Sequence, residues 1–144
     1  MSDATQNGEV FDVDLERWAS DADLAWRGHV LGWRCLYEPA ALVHHIRSYS
    51  PSTRAQMSES SRRMQFRNRY LMIAKNDGRE LARDLPLVLT YEVLALGHVL
   101  LRERHLLRAY ADVWRLLPAA RRRRRAIQAR RIGGRVRYGL RAPR

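Results

Sequence analysis

Cysteine occurs once in this 144-residue chain, at Cys35. An internal disulfide is therefore impossible, no thiolate pair is present to found a metal site, and a reducing compartment is the simpler setting. The opening residues, MSDATQNGEV, lack the apolar run of a signal peptide. No hydrophobic stretch runs uninterrupted. The most apolar one, LPLVLTYEVLALGHVLL over 85–101, contains Glu92 and His98. It falls short of the roughly 20 apolar residues that cross a bilayer, and it is read as a helix that buries one face. Acids are scarce toward the C-terminus: residues 101–144 hold 15 arginines against 2 acids, a balance of +13, whereas residues 1–100 hold 12 basic and 13 acidic groups, a balance of −1. The basic character is a property of the C-terminal part, and the length suits one modest domain.

What is present divides into a mixed first half and a helical second half. VFDVDLERW alternates apolar and acidic residues as a strand or extended segment does. Ser20 with Asp23 three residues later has capping-box spacing, which predicts a helix over 21–31 closed by Gly32. The β-rich runs around Pro39, ending at His44 and His45, predict one or two short strands, and SPSTRAQMSESS reads as a surface loop. A helix over 61–75 places Phe66, Tyr70 and Ile73 on a shared face. Pro86 opens the next helix, with Leu89, Val93, Leu96 and Leu100 as its apolar stripe. Leu107, Tyr110, Trp114 and Leu117 form another stripe that Pro118 closes. Arg121, Arg122, Arg123, Arg124 and Arg125 then begin a tail read as too charged to pack.

Taken alone, the acids at 21 and 23 allow three readings. Carboxylates in a first helical turn complement the macrodipole. A carboxylate at a helix start can instead act as general base on an acceptor hydroxyl. Asp-x-Asp can also bind a metal, although two acids complete no coordination shell. His44 and His45, adjacent on a strand, point to opposite faces and cannot both serve one site without a bend.

The run FDVDLERWASDADLAWRGHVLGWRCLYEPAALVHH, followed by RNRYLMIAKN, resembles the C-terminal part of family 2 glycosyltransferases of the rhamnosyltransferase-like kind. Those enzymes read F-D-E-x-F-F-x-Y-x-E-D-V-D-L-x-W-R, then G-W, a Pro, V-x-H and later R-N-R-Y-L, and the likeness spans about residues 11–76. It implies an α/β, Rossmann-like GT-A fold and transfer of a sugar such as rhamnose from a nucleotide-sugar donor to a hydroxyl of a cell-envelope glycan or lipid-linked acceptor. The family's base falls on Asp21 and its glutamate neighbour on Ser20. Asp23 supports the helix start, and Trp26 with Arg27 match the W-R of the motif. The histidine near the metal and diphosphate falls on His45, with His44 as alternate, and the implied cofactor is Mg²⁺ or Mn²⁺. The family's nucleotide-binding half and its own Asp-x-Asp lie upstream of this region, so the chain reads as the acceptor-side part.

The expected organisation is a lead-in over 1–10, the glycosyltransferase-like part over 11–80, amphipathic helices over 81–118 and the arginine tail over 119–144. The tail, with Arg121 to Arg125, fits an anionic membrane surface at the cytoplasmic face. Nucleic acid ranks below it, because no recognition helix, zinc spacing or aromatic stacking motif accompanies the arginines. The alternative to an enzyme is a non-catalytic protein that binds a membrane or acidic partner through this basic end.

Overall fold

Backbone donors at a helix start need partners, and Ser58 supplies one: its hydroxyl accepts the amide of Ser61 at 3.2 Å. The longest run of good helix formers in the first half of the chain follows. In the computed structural model, which describes residues 8–44, 51–78 and 81–132 and the side chains of all but 51 and 52 among them, four α-helices form. They are α1 (Ser20–Val30), α2 (Glu59–Asn76), α3 (Leu81–Arg102) and α4 (Leu107–Ala129), with single 3-10 turns at Val13–Leu15, Pro51–Gln56 and Arg104–Leu106.

Helices α2 and α4 lie side by side and point the same way. Arg63 near the start of α2 pairs with Asp112 early in α4, whereas Arg124 and Gln128 late in α4 reach the carbonyls that end α2. Helix α3 is the antiparallel return between them: Arg69 meets Glu92, and Arg62 meets Glu103 just beyond the end of α3. Helix α1 docks at the far end of the pair, where Asp23 bonds Asn76. The compact apolar centre is small, with Leu15, Leu71 and Ala120 buried together and Met72 and Leu116 packed on them.

The α/β expectation and the GT-A fold with it are overturned, because the described residues form helices and no sheet. Residues 13–15, expected to be extended, coil into a 3-10 turn whose Asp12 side chain accepts the amide of Asp14 at 3.0 Å. Residues 33–44 are exposed and irregular, with no partner strand among the described residues to make their β-rich composition count; His45, where the expected strands end, lies outside the described residues. The capping box does not form either. Ala19, in the left-handed region at φ 66°, precedes the first turn of α1, and no side chain caps it.

Gly32 does end α1 as the sequence suggests. At φ 86° it allows two closing bonds, Trp33 N–H to the Gly28 carbonyl at 2.8 Å and Gly32 N–H to the His29 carbonyl at 3.0 Å, which together make a Schellman motif. Pro86 and Pro118 lie inside α3 and α4 rather than at their ends. Helix α4 therefore continues through the five arginines to Ala129, and the division at 118/119 falls within it. The stripe Leu89, Val93, Leu96 and Leu100 is not a buried face: all four are exposed, and Val99 is the buried residue of α3.

A Gly32→Ala variant must hold a Cβ in the left-handed region, at a cost of about 1 kcal/mol. Gly97 sits in helical backbone with nothing within 4 Å of an added Cβ, so Gly97→Ala gains up to about 1 kcal/mol from helix propensity. Thermal melts followed by circular dichroism should move in opposite directions for the two variants.

Candidate functional site

The end of the helix pair where α1 docks contains a buried ionic cluster. Lys75, the single lysine of the sequence, is 1% exposed. Its ammonium donates to Asp12 and lies 2.7 Å from Asp23 Oδ1. The same Asp23 oxygen accepts the amide of Asn76 at 2.6 Å, and its second oxygen faces the Arg27 guanidinium at 3.6 Å. Arg27 also donates to the Val10 carbonyl. Arg123 from α4 reaches Asp12 at 3.2 Å and pairs with Asp14. Three carboxylates, Asp12, Asp14 and Asp23, thus meet three cations, Arg27, Lys75 and Arg123, and the cluster is balanced in charge.

Geometry sets the titration of these groups. Burial alone pushes the Asp12 carboxyl up, but the hydrogen bond and charge of Lys75, the Asp14 amide and Arg123 outweigh it and hold the group below its ordinary value. Burial pulls the Arg27 guanidinium down, against the opposing pull of Asp23 and Asp12. For Arg123, burial also acts downward, and the hydrogen bond to Asp14 with the charges of Asp12 and Asp14 reverses it.

Two further clusters tie the opposite end. Glu103 binds Arg62 at 2.7 Å and Arg54 at 3.1 Å, and these partners overcome its burial to depress its carboxyl. Asp112 accepts both Nε and Nη2 of Arg63, at 2.6 and 2.7 Å. That fork is the main reason its carboxyl lies low.

Sequence-predicted residues part company here. Asp21 is exposed at the start of α1, one carboxylate oxygen accepting the Ala22 amide at 2.8 Å. Asp23, expected to support the helix start, is instead fully buried in the Lys75 cluster with Arg27. Rather more than half a turn of helix explains the divergence: position 23 turns toward α2 while position 21 turns away from it. Trp26 is half-buried and lies between them on the helix. His44 is exposed, and His45 lies outside the described residues.

Of the five arginines, Arg121, Arg122 and Arg125 are exposed. Arg123 joins the cluster, and Arg124 donates to the carbonyls of Ala74, at 3.1 Å, and Asp77. Arg124 thereby satisfies orphan acceptors at the negative end of α2. The members that sequence reading missed are Asp12, Asp14, Lys75 and Asn76, and Arg123, expected at a membrane surface, is turned inward instead. Asp12 lies within the quoted F-D motif and Lys75 with Asn76 within RNRYLMIAKN, so the signal was present.

His45, the residue the likeness places nearest a divalent cation, lies outside the described residues. Asp12 and Asp23 converge on an ammonium that already neutralises them, and no group of three His, Cys, Asp or Glu side chains among the described residues could hold a metal. Between α2 and α3 runs a groove of about 590 Å³, lined by Phe66, Met72, Tyr91, Leu94 and Val99 and reaching Ala19 at the start of α1. No family model, no characterised protein and no solved structure matches the chain.

Lys75→Met leaves Asp12 and Asp23 buried without their shared cation, and about 3 to 5 kcal/mol of stability should be lost, measured by urea unfolding. The pH dependence has a definite sign. Glu103, Asp12 and Asp112 titrate lower folded than unfolded, so their stabilisation is complete above the ordinary values of 4.5 and 3.8 and disappears as pH falls through the lower folded values. Melting temperature should accordingly fall as pH drops below about 4.

Proposed function

We propose that this chain supplies the acceptor-facing part of a sugar-transferring enzyme, with Asp21 as the base that takes the proton of the acceptor hydroxyl. The reading rests on the sequence likeness over residues 11–76. The observation that carries it is the division of labour between two neighbouring acids. Asp23 is locked by Lys75, Arg27 and Asn76, and Asp21 projects into solvent from the helix that Asp23 anchors. A carboxylate held on a fixed element yet open to solvent suits proton abstraction, because an attacking oxygen must be relieved of its proton within hydrogen-bond reach. The groove between α2 and α3 reaches Ala19, two residues before Asp21 in the chain. The helical fold does not support a GT-A domain in this chain, and the nucleotide-sugar donor is assigned no site here.

A second reading has its own support: a non-catalytic protein whose exposed Arg121, Arg122 and Arg125 meet an anionic membrane surface. That binding would weaken steeply with salt.

The enzymatic reading is tested with the whole chain fused to a donor-binding domain, measuring release of nucleoside diphosphate in the presence of acceptor. Asp21→Asn should lower transfer by about 10² to 10⁴ while the melting temperature stays near that of the parent. Transfer within about threefold of the parent in the folded variant would remove Asp21 from the role of base, since a positioned proton acceptor is worth far more than that.

A further inference from the structure

Helix α3 is built inside out. Its charged and hydrogen-bonding groups turn toward α2: Glu92 accepts from Arg69 at 2.8 Å and from the Tyr70 hydroxyl. Arg69 itself stacks on Phe66, Tyr70 and Tyr91 with its guanidinium carbon 4.5 to 5.0 Å from the ring centres. The solvent side carries the aliphatic residues. Leu89, Val93, Leu96 and Leu100 recur at helical spacing there, Val93 is 71% and Leu101 80% exposed, and Gly97 has open space above it. In an ordinary amphipathic helix of a water-soluble protein this stripe would be the core.

We infer that the outward face of α3 inserts into the interface of a lipid bilayer. Three observations favour lipid over a protein surface. The first is the scarcity of polar function on the face: between residues 85 and 101 the ionisable groups are Tyr91, Glu92 and His98, and the Tyr91 ring stacks on Arg69 of α2. Glu92 is bonded inward and His98 lies 3.5 Å from Glu103. A protein interface of this size would carry about one hydrogen bond per 100 to 200 Å² with a polar rim. The second is Thr90, the one hydroxyl on the stripe, which donates to the Pro86 carbonyl at 2.9 Å and needs nothing from outside, as hydrocarbon requires. The third is the placement of charge. Arg83 and Arg102 flank the apolar run, and Arg104 folds back to donate to the Leu100 carbonyl at 3.0 Å, putting guanidinium groups where phosphates lie when a helix rests at headgroup depth.

By length and composition α3 is the one helix among the described residues that could cross a membrane. Its inner side is occupied by Arg69, Glu92 and the Glu103 cluster, and so the helix lies along the surface with that side in water. Attachment is by apolar burial and is independent of both the role of Asp21 and the exposed arginines of α4.

The test is cosedimentation of the full chain with phosphatidylcholine vesicles, which carry no net charge. Binding should occur, persist at about 1 M salt, where the Debye length is about 3 Å, and weaken about tenfold or more in Leu89→Glu/Val93→Glu, since one inserted aliphatic side chain is worth about that factor. Both positions are exposed, and circular dichroism checks that helicity is kept; if the double variant loses it, Val93→Gln alone carries the comparison. Arg121→Gln/Arg122→Gln/Arg125→Gln should bind these vesicles as the parent does. Binding restricted to anionic vesicles and abolished by salt would overturn the inference, as would unchanged binding of the face variants. So would a stable dimer in solution that Leu89→Glu/Val93→Glu dissolves while no vesicle is bound, since that result makes the face a contact between copies.

Discussion

The fold depends on one buried ammonium. Lys75 stands at the C-terminal end of α2 with Asp12 of the N-terminal segment and Asp23 of α1 closed around it, and through Asp12 the charge network continues to Arg123 of α4. Three parts of the chain that share little apolar surface are therefore registered by charge. Such an arrangement is exacting: a buried carboxylate tolerates its surroundings only while every partner is in place. Bulky aliphatic packing can slide by fractions of an ångström, whereas this cluster has one geometry.

That exactness compensates for a modest apolar centre. Leu15, Leu71 and Ala120 form a small cluster, and the remaining long-range ties are largely guanidinium groups. Arg62 and Arg54 hold Glu103, Arg63 holds Asp112, and Arg69 holds Glu92. Asp12, Asp23, Glu103 and Asp112 are each held from more than one side or by both arms of a single guanidinium. Arginine suits the task, because its planar fork satisfies a carboxylate bidentately and it keeps its charge when partly buried. Arg54, Arg62, Arg63, Arg69, Arg123 and Arg124 are accordingly mortar between elements, whereas Arg121, Arg122 and Arg125 face solvent.

Legibility in the sequence followed the locality of the cause. Gly32 ends α1, where local spacing governs, and the second helix is visible from its periodicity to within two residues at its start and one at its end. Extended segments at 10–18 and 33–45 were legible as composition, and where the structure describes them, over 10–18 and 33–44, they form no sheet, since β-rich composition makes strands only beside a partner. The capping spacing of Ser20 and Asp23 was real in sequence and overridden in space, because Lys75 and Asn76 hold the Asp23 carboxylate instead of a backbone amide. The stripe of α3 was located correctly and assigned to the wrong side; periodicity gives a face and cannot say what lies against it. Arg123 and Arg124 illustrate the same limit: a run of like charge reads as solvated until the acids and carbonyls it meets, some 50 to 109 residues away, are known.

The parallel pairing of α2 with α4 also fixes an order of events. A ribosome delivers Asp12, Asp14, Asp23 and Lys75 well before Arg123, and Asp14 waits 109 residues for its partner. Helix α2 likewise emerges with its last carbonyls open until Arg124 and Gln128 follow. In that interval the nascent chain carries Asp12, Asp14 and the last carbonyls of α2 without the partners that α4 brings, a state in which incompletely packed surface invites other molecules. The arginine segment therefore acts as a latch fastened last, and assembly of the whole is gated by completion of α4.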